Sequence, residues 1–102
     1  MADFIRVASL SELTKGTAKT VQAGDKEIAI FNVDGTIYAL DNTCLHVGGP
    51  LGEGELAGIT VTCPWHGWQY NVTTGQNLQN PDLKVATYPV QVEGNDISIV
   101  LG

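Results

Sequence analysis

The chain has 102 residues, enough for one small domain and not two. Its hydrophobic share of 43% against a charged share of 16% fits a folded globular protein rather than a disordered one. Five Lys and Arg stand against eleven Asp and Glu, a net charge of −6, and none of the five lies between Lys26 and Lys84. That argues against nucleic-acid binding, which needs cations to neutralise phosphates.

In chain order, residues 4–8 read as a first strand, with Phe4, Ile5 and Val7 apolar. Residues 9–13 read as a short turn or single helical turn capped by Ser9, ended by Gly16. Residues 17–23 are rich in Thr and Val, which favour strands, and Gly24 with Asp25 makes a turn. Residues 27–33 form a strongly apolar strand, Asp34-Gly35 is a hairpin signal, and residues 36–40 are the returning strand. A loop runs from Asn42 to about Leu51, and residues 53–56 read as loop too. After a turn at Ala57-Gly58, residues 59–62 form a strand leading into Cys63, and residues 68–72 a strand leading back. Thr73-Thr74-Gly75 turns the chain, and residues 76–82 read as irregular. Residues 86–93 read as one strand, with Pro89 at an edge or bulge because it cannot donate to a ladder. The last strand covers residues 97–101, its Ile97, Ile99 and Leu101 alternating toward one face.

No segment keeps a helical period, so an all-β barrel or sandwich is expected. No apolar run is long enough to cross a membrane as a helix, and Met1–Arg6 lacks a signal-peptide layout. A soluble cytoplasmic protein that binds neither nucleic acid nor membrane is expected.

All the cysteines and histidines fall in two short motifs, C-L-H at Cys44–His46 and C-P-W-H-G at Cys63–Gly67. Each motif offers one thiolate and one imidazole at close spacing, so a single loop could present two ligands to one metal site. Gly48, Gly49, Gly52, Gly54 and Gly67 leave room for backbone to approach anionic sulfur. The same residues could hold zinc, although zinc fingers usually pair Cys with Cys and His with His along the chain. A Cys44–Cys63 disulfide is a further reading, disfavoured without signs of secretion.

The pattern C-x-H … C-x-x-H-G resembles the Rieske [2Fe–2S] motif. The resemblance extends over nearly the whole chain, down to Y-P-V-x-V-E-G at Tyr88–Gly94. It implies a β sandwich or barrel base domain with a small inserted cluster-binding lobe of two loops. Residues 1–102 would then be a single Rieske domain, the lobe covering about 42–70. It implies one [2Fe–2S] cluster per chain, with Cys44 and Cys63 on one iron and His46 and His66 on the other. With all ligand positions filled by protein, it implies a one-electron carrier and not an enzyme.

Within the family the chain is similar to small ferredoxins that pass electrons from a flavin-containing reductase to a ring-hydroxylating terminal oxygenase. Both partners would dock near His46 and His66. The small Rieske subunit of assimilatory nitrite reductases and a structural zinc module are the alternatives. Respiratory-type members carry an additional Cys in each loop; here Gly49 and Trp65 hold those positions. Trp68 replaces a serine donor, while Tyr70 keeps the tyrosine. Fewer hydrogen bonds to sulfur imply a potential toward the low end of a range of roughly −150 to +300 mV. Leu45, Val47 and Leu51 are expected as apolar cover, Trp65 and Trp68 as lobe packing or, alternatively, part of the partner-docking surface, Asp41 and Asn42 as a turn, and Tyr70 as either the family's tyrosine near sulfur or a half-buried strand residue.

The acidic, lysine-free middle of the chain has two readings, simple solubility or a negative face that steers toward a basic partner.

Overall fold

A computed structural model describes residues 4–24, 26–42, 50–65 and 67–100. The described chain is almost entirely strand and turn, with single 3-10 turns at Leu10–Glu12 and Leu51–Glu53. Among the described residues no helix is long and apolar enough to cross a membrane.

Three antiparallel sheets account for the strands. The first joins β1 (Phe4–Ser9), β10 (Asp96–Val100) and β9 (Val90–Glu93), in the order β1-β10-β9. The second is β2 (Ala18–Ala23), β3 (Lys26–Val33), β4 (Thr36–Asp41) and β8 (Thr87–Tyr88), in chain order. The third is the small sheet of β5 (Glu55–Ala57), β6 (Thr60–Thr62) and β7 (Gln69–Asn71).

The β3–β4 hairpin turns where the sequence signals it. Asp34 takes a positive φ of 52° and Gly35 one of 97°, the twist that tight hairpins need. Asn32, just before the turn, is buried, and its side-chain oxygen accepts from Gly35 N–H at 2.8 Å while its Nδ2 donates to Leu13 O at 2.8 Å. That amide ties the hairpin to the preceding turn.

β3 is buried on both faces, as its unbroken apolar run requires. Its alternation divides the protein interior. Ile28 and Ile30 face one core with Ala8, Val21, Ile37, Ala39, Ile97 and Ile99. Ala29 and Phe31 face a second core with Leu40, Leu51, Val61, Cys63, Tyr70, Val72 and Val85. The first core lies between the two larger sheets; the second lies between the four-stranded sheet and the small one.

Two expectations are corrected. Residues 53–56 are not all loop: Glu55–Ala57 forms β5, recruited by pairing with β6 through Leu56↔Val61 rather than by any strong apolar alternation of its own. Residues 86–93 are not one strand. The chain changes sheets at Pro89, so β8 pairs with β4 and β9 with β10. Ser9 stands at the N-cap of the first 3-10 turn, as expected: its N–H donates to Glu12 Oε1 at 3.1 Å, while its hydroxyl accepts from Arg6 Nη2 at 2.7 Å.

Candidate functional site

Strands β6 and β7 pair Val61 with Tyr70 and Thr62 with Gln69. Directly beyond that ladder, Cys63 N–H donates to Trp68 O at 2.7 Å and closes the neck of the hairpin. Gly67 has a φ of +75°, a left-handed conformation that glycine adopts without the penalty a Cβ brings. The second predicted ligand loop is therefore a hairpin tip carried by a sheet.

The period of two decides what the tip presents to either side. Val61 and Cys63 on one strand, and Trp68, Tyr70 and Val72 on the other, all pack into the second core. Cys63 is 1% exposed and Tyr70 fully buried, so the half-buried tyrosine expected from sequence is corrected: it is among the largest buried side chains. The opposite face is polar. Glu55, Thr62 and Gln69 lie in one cross-strand row. Gln69 Nε2 reaches Thr62 Oγ1 at 3.4 Å, and Gln69 N–H donates to Gln79 Oε1 at 3.2 Å.

The two tryptophans part company. Trp68 is half-buried against the second core, as expected. Trp65 is 50% exposed at the hairpin tip, beside exposed Pro64 and Gly67, which corrects its expected role as lobe packing. Its position past the closing Cys63–Trp68 pair takes it off the ladder.

The other ligand loop is described at its edges. Asn42 is not a simple turn residue but a buried anchor, 3% exposed. Its side-chain oxygen accepts from Gly52 N–H at 2.7 Å and from Thr20 Oγ1 at 3.2 Å, and its carbonyl accepts from Leu51 N–H at 2.7 Å. One residue thus fastens both ends of that loop to each other and to β2. Gly52 must be glycine for the same reason: a Cβ there would lie 2.7 Å from Thr20 N and 2.8 Å from Lys19 C. Leu51 is fully buried beside Cys63 in the second core, so its role as apolar cover stands. Cys44, His46 and His66, together with Leu45, Val47 and Gly49, lie outside the described residues.

A residue without any motif signal joins the frame. Asn77 is 1% exposed and bridges Tyr70, extending the small sheet. Its Oδ1 accepts from the N–H groups of Gln79 and Asn80 at 2.8 and 2.9 Å, while its Nδ2 has no partner. Isolated asparagines in a polar stretch carry no sequence mark of burial; the only hint was its spacing from Gly75 in an otherwise irregular segment.

A cleft of about 500 Å³ lies elsewhere, where β4 loses its neighbour at Pro89. Its walls include Ile37, Tyr38, Val72, Tyr88 and Val90, with no thiol, imidazole or carboxylate among them. Tyr88 there has its pKa raised, first by burial and then by the charge of Asp41. The cleft has no metal-binding chemistry and is not the candidate site.

What the described frame offers is a buried thiol at the neck of a hairpin, a glycine-relieved tip, and fixed ends for the other ligand loop. Sulfur and imidazole donors in this number suit iron–sulfur ligation, and the apolar enclosure of Cys63 suits a group that must be kept from water. A family model for the Rieske [2Fe–2S] domain matches residues 3–89. The chain belongs to the Rieske [2Fe–2S] family. It is 38% identical over 92 residues to the ferredoxin component of the naphthalene 1,2-dioxygenase/salicylate 5-hydroxylase systems of Ralstonia sp, covering 89% of this chain and 88% of that one. The Sphingomonas yanoikuyae B1 ferredoxin superposes with a TM-score of 0.88 at 27% identity, over 98% of this chain and 100% of that one. A ferredoxin-like chain from the complex of reduced oxygenase and oxidised ferredoxin in carbazole 1,9a-dioxygenase gives 0.86 at 29% identity, over 95% of this chain and 92% of that one.

This Rieske protein is thus a ferredoxin component of the ring-hydroxylating dioxygenase type, a one-electron carrier and not itself the oxygenase. Membership of the family implies a [2Fe–2S]-binding site and replaces the structural-zinc reading of the same residues.

Proposed function

We propose that this ferredoxin holds one [2Fe–2S] cluster, with Cys44 and Cys63 on one iron and His46 and His66 on the other. It takes single electrons from a flavin-containing reductase and hands them to a terminal oxygenase acting on an aromatic compound, in the cytoplasm. Both partners meet it near His46 and His66, and residues 1–102 form one domain whose lobe spans about 42–70. The bound cluster supplies reversible one-electron chemistry at a potential set by its mixed thiolate and imidazole ligands.

The observation that carries this reading is the placement of Cys63. It sits where β6 ends, buried in the second core, at the neck of a hairpin closed by its own N–H on Trp68 O. Val61, Leu51 and Tyr70 in the same core keep water from the thiol side of the site. Asn42 holds the ends of the first loop, so that loop is also presented from fixed points. The relatives belong to dioxygenase systems for naphthalene, 2,4-dinitrotoluene, biphenyl and cinnamic acid, which supports an aromatic compound as the partner oxygenase's substrate.

Iron and acid-labile sulfide analysis of purified protein tests the reading. Two iron and two sulfide per chain are expected, together with the visible absorption of a Rieske centre. Stoichiometric zinc without sulfide would overturn it.

A further inference from the structure

The turn between β3 and β4 is a chemically labile pair of residues. Asp34-Gly35 is the only place in the chain where an Asp or Asn precedes a glycine. Such pairs rearrange slowly in water. The Gly35 nitrogen attacks the side-chain carboxyl carbon of Asp34, and a new C–N bond closes a five-membered ring. The carboxyl hydroxyl leaves with the amide proton as water. Water then reopens the ring at either carbonyl. One opening gives back aspartate; the other leaves the main chain routed through the side chain, as isoaspartate. Glycine favours ring closure because no Cβ hinders the nitrogen. The residues that follow every other aspartate, Phe4, Lys26, Asn42, Leu83 and Ile97, all carry one.

Both residues of the turn are exposed, but the reacting N–H is held. Gly35 N–H donates to Asn32 Oδ1 at 2.8 Å. Asn32 is 4% exposed, and each of its polar groups is engaged. Its Nδ2 donates to Leu13 O at 2.8 Å, its N–H donates to Thr17 O at 3.0 Å, and its carbonyl accepts from Gly16 N–H at 2.7 Å. The acceptor is thus fixed by residues 13–17, outside the hairpin. Ring closure requires the Gly35 nitrogen to give up that proton and turn toward the Asp34 carboxyl. Both movements break the bond to Asn32.

We propose that Asp34 is the site at which this protein forms isoaspartate, and that Asn32 sets the rate by holding the Gly35 N–H until the turn opens. The product alters the fold at a sensitive point. Isoaspartate adds one carbon to the main chain inside a two-residue turn, and such a turn fixes the register of the strands it joins. The Val33↔Thr36 pair borders it directly, and β3 carries side chains into both cores. The folded state therefore protects its own hairpin. A condition that frees the Gly35 N–H starts a covalent change that refolding does not undo.

The test ages cluster-loaded protein at neutral pH and physiological temperature. Isoaspartate is counted by enzymatic methylation of its carboxyl and located by mass spectrometry of peptides. It should form first at Asp34, tenfold or more slowly than in the same chain unfolded in urea. Asn32→Ala should speed it about threefold or more, through loss of the hydrogen bond to Gly35. Ile99→Ala is the control for general loss of stability, since Ile99 is fully buried in the first core and pairs with β1 and β9 rather than with the hairpin. The two variants are compared at equal unfolding free energy, set with urea. Isomerisation no faster in Asn32→Ala than in Ile99→Ala would overturn the role of Asn32. Amide exchange at Gly35 of the wild type, followed by NMR, needs no variant and should be slowed tenfold or more against the unfolded chain. A Gly35 amide that exchanges as in the unfolded chain, or isoaspartate that forms first at another residue, would overturn the proposal.

Discussion

The two faces of β3 back onto cores of different character. The first core is aliphatic and closed: Ile28, Ile30, Ile37, Ile97 and Ile99 with small alanines, all between strands that pair along their length. The lobe core mixes aromatic, sulfur and amide groups: Phe31, Tyr70, Cys63 and Leu51, with Asn77 at its edge and Trp68 against it. The first is built for stability alone. The second accepts a thiol that is exposed to almost nothing but its neighbours and an amide nitrogen with no hydrogen bond, features a purely structural core discards. One strand serves both because its side chains alternate, so each core can be perturbed from adjacent residues of the same strand.

The largest expected effect separates the two completely. Cys63→Ser should abolish retention of iron and sulfide, because a hydroxyl is a poor substitute for thiolate. Far-ultraviolet circular dichroism should meanwhile keep its strand signature, since the first core has no part in ligation. Loss of the whole fold in this variant would show that the cores are not separable. Next in size, Ile30→Ala empties space in the first core and should lower unfolding free energy by about 2–5 kcal/mol in denaturant titration. The visible spectrum of the loaded protein should stay the same, as Ile30 points away from Cys63.

Asn42→Ala should be intermediate, costing about 1–3 kcal/mol because Gly52 N–H loses its buried acceptor. Hydrogen exchange should quicken at Gly52 and Leu51 before the strands around the first core; equal quickening everywhere would deny Asn42 a local role. Asn77→Leu should change stability by less than any of these, and in the stabilising direction if burial of the unpaired Nδ2 outweighs the lost turn bonds from Gln79 and Asn80. Its sign, read from the denaturation midpoint, tells whether the lobe core tolerates an orphan donor at a cost.

The smallest effects are surface titrations on the side of the first core. Glu12 has a lowered pKa, chiefly through its hydrogen bond from Lys19 at 2.6 Å and then that from Ser9 N–H. A folded-state pKa below the unfolded one contributes stability above the ordinary carboxylate range and loses it as pH falls through the depressed value. Glu12→Gln should remove that share of the acid slope, followed by NMR titration. Tyr88 runs the other way at the opposite end of the scale. Its raised pKa means the unfolded chain releases the proton first, so stability falls as pH climbs past the ordinary tyrosine range. Tyr88→Phe should flatten that alkaline decline.

The strands around the first core were legible because alternation and turn chemistry are local. Ile28 to Phe31 and Asp34-Gly35 announce a hairpin without knowing its neighbours. The motif at Cys63 was legible for a similar reason, since ligand spacing lies within one tip. What stayed hidden depends on partners far along the chain. β5 is a strand because β6 lies beside it, and Asn42 is an anchor because Gly52 and Thr20 converge on it. Pro89 announced an interruption, but only the sheets on either side reveal that the chain changes partner there. Trp65 and Trp68 are the same residue type three positions apart, and the period of the hairpin, not composition, sends one inward and leaves the other outside.

The pairing of β1 with β10 has a consequence for how the molecule is made. Phe4 meets Val100 and Ser9 meets Asp96, so this sheet forms through contacts between residues roughly ninety positions apart. The hairpins β3–β4 and β6–β7 join neighbours in sequence and need no such wait. On a ribosome the thiol-bearing hairpin therefore leaves the exit tunnel before the strand that completes this sheet. Contacts of long sequence separation slow folding. There is thus an interval in which Cys63 is already synthesised but the sheet completed by β10 has not formed. Cluster insertion by the cell would be cleanest after that sheet forms, and a chain stalled short of β10 would present its thiols to metal on an unfinished support.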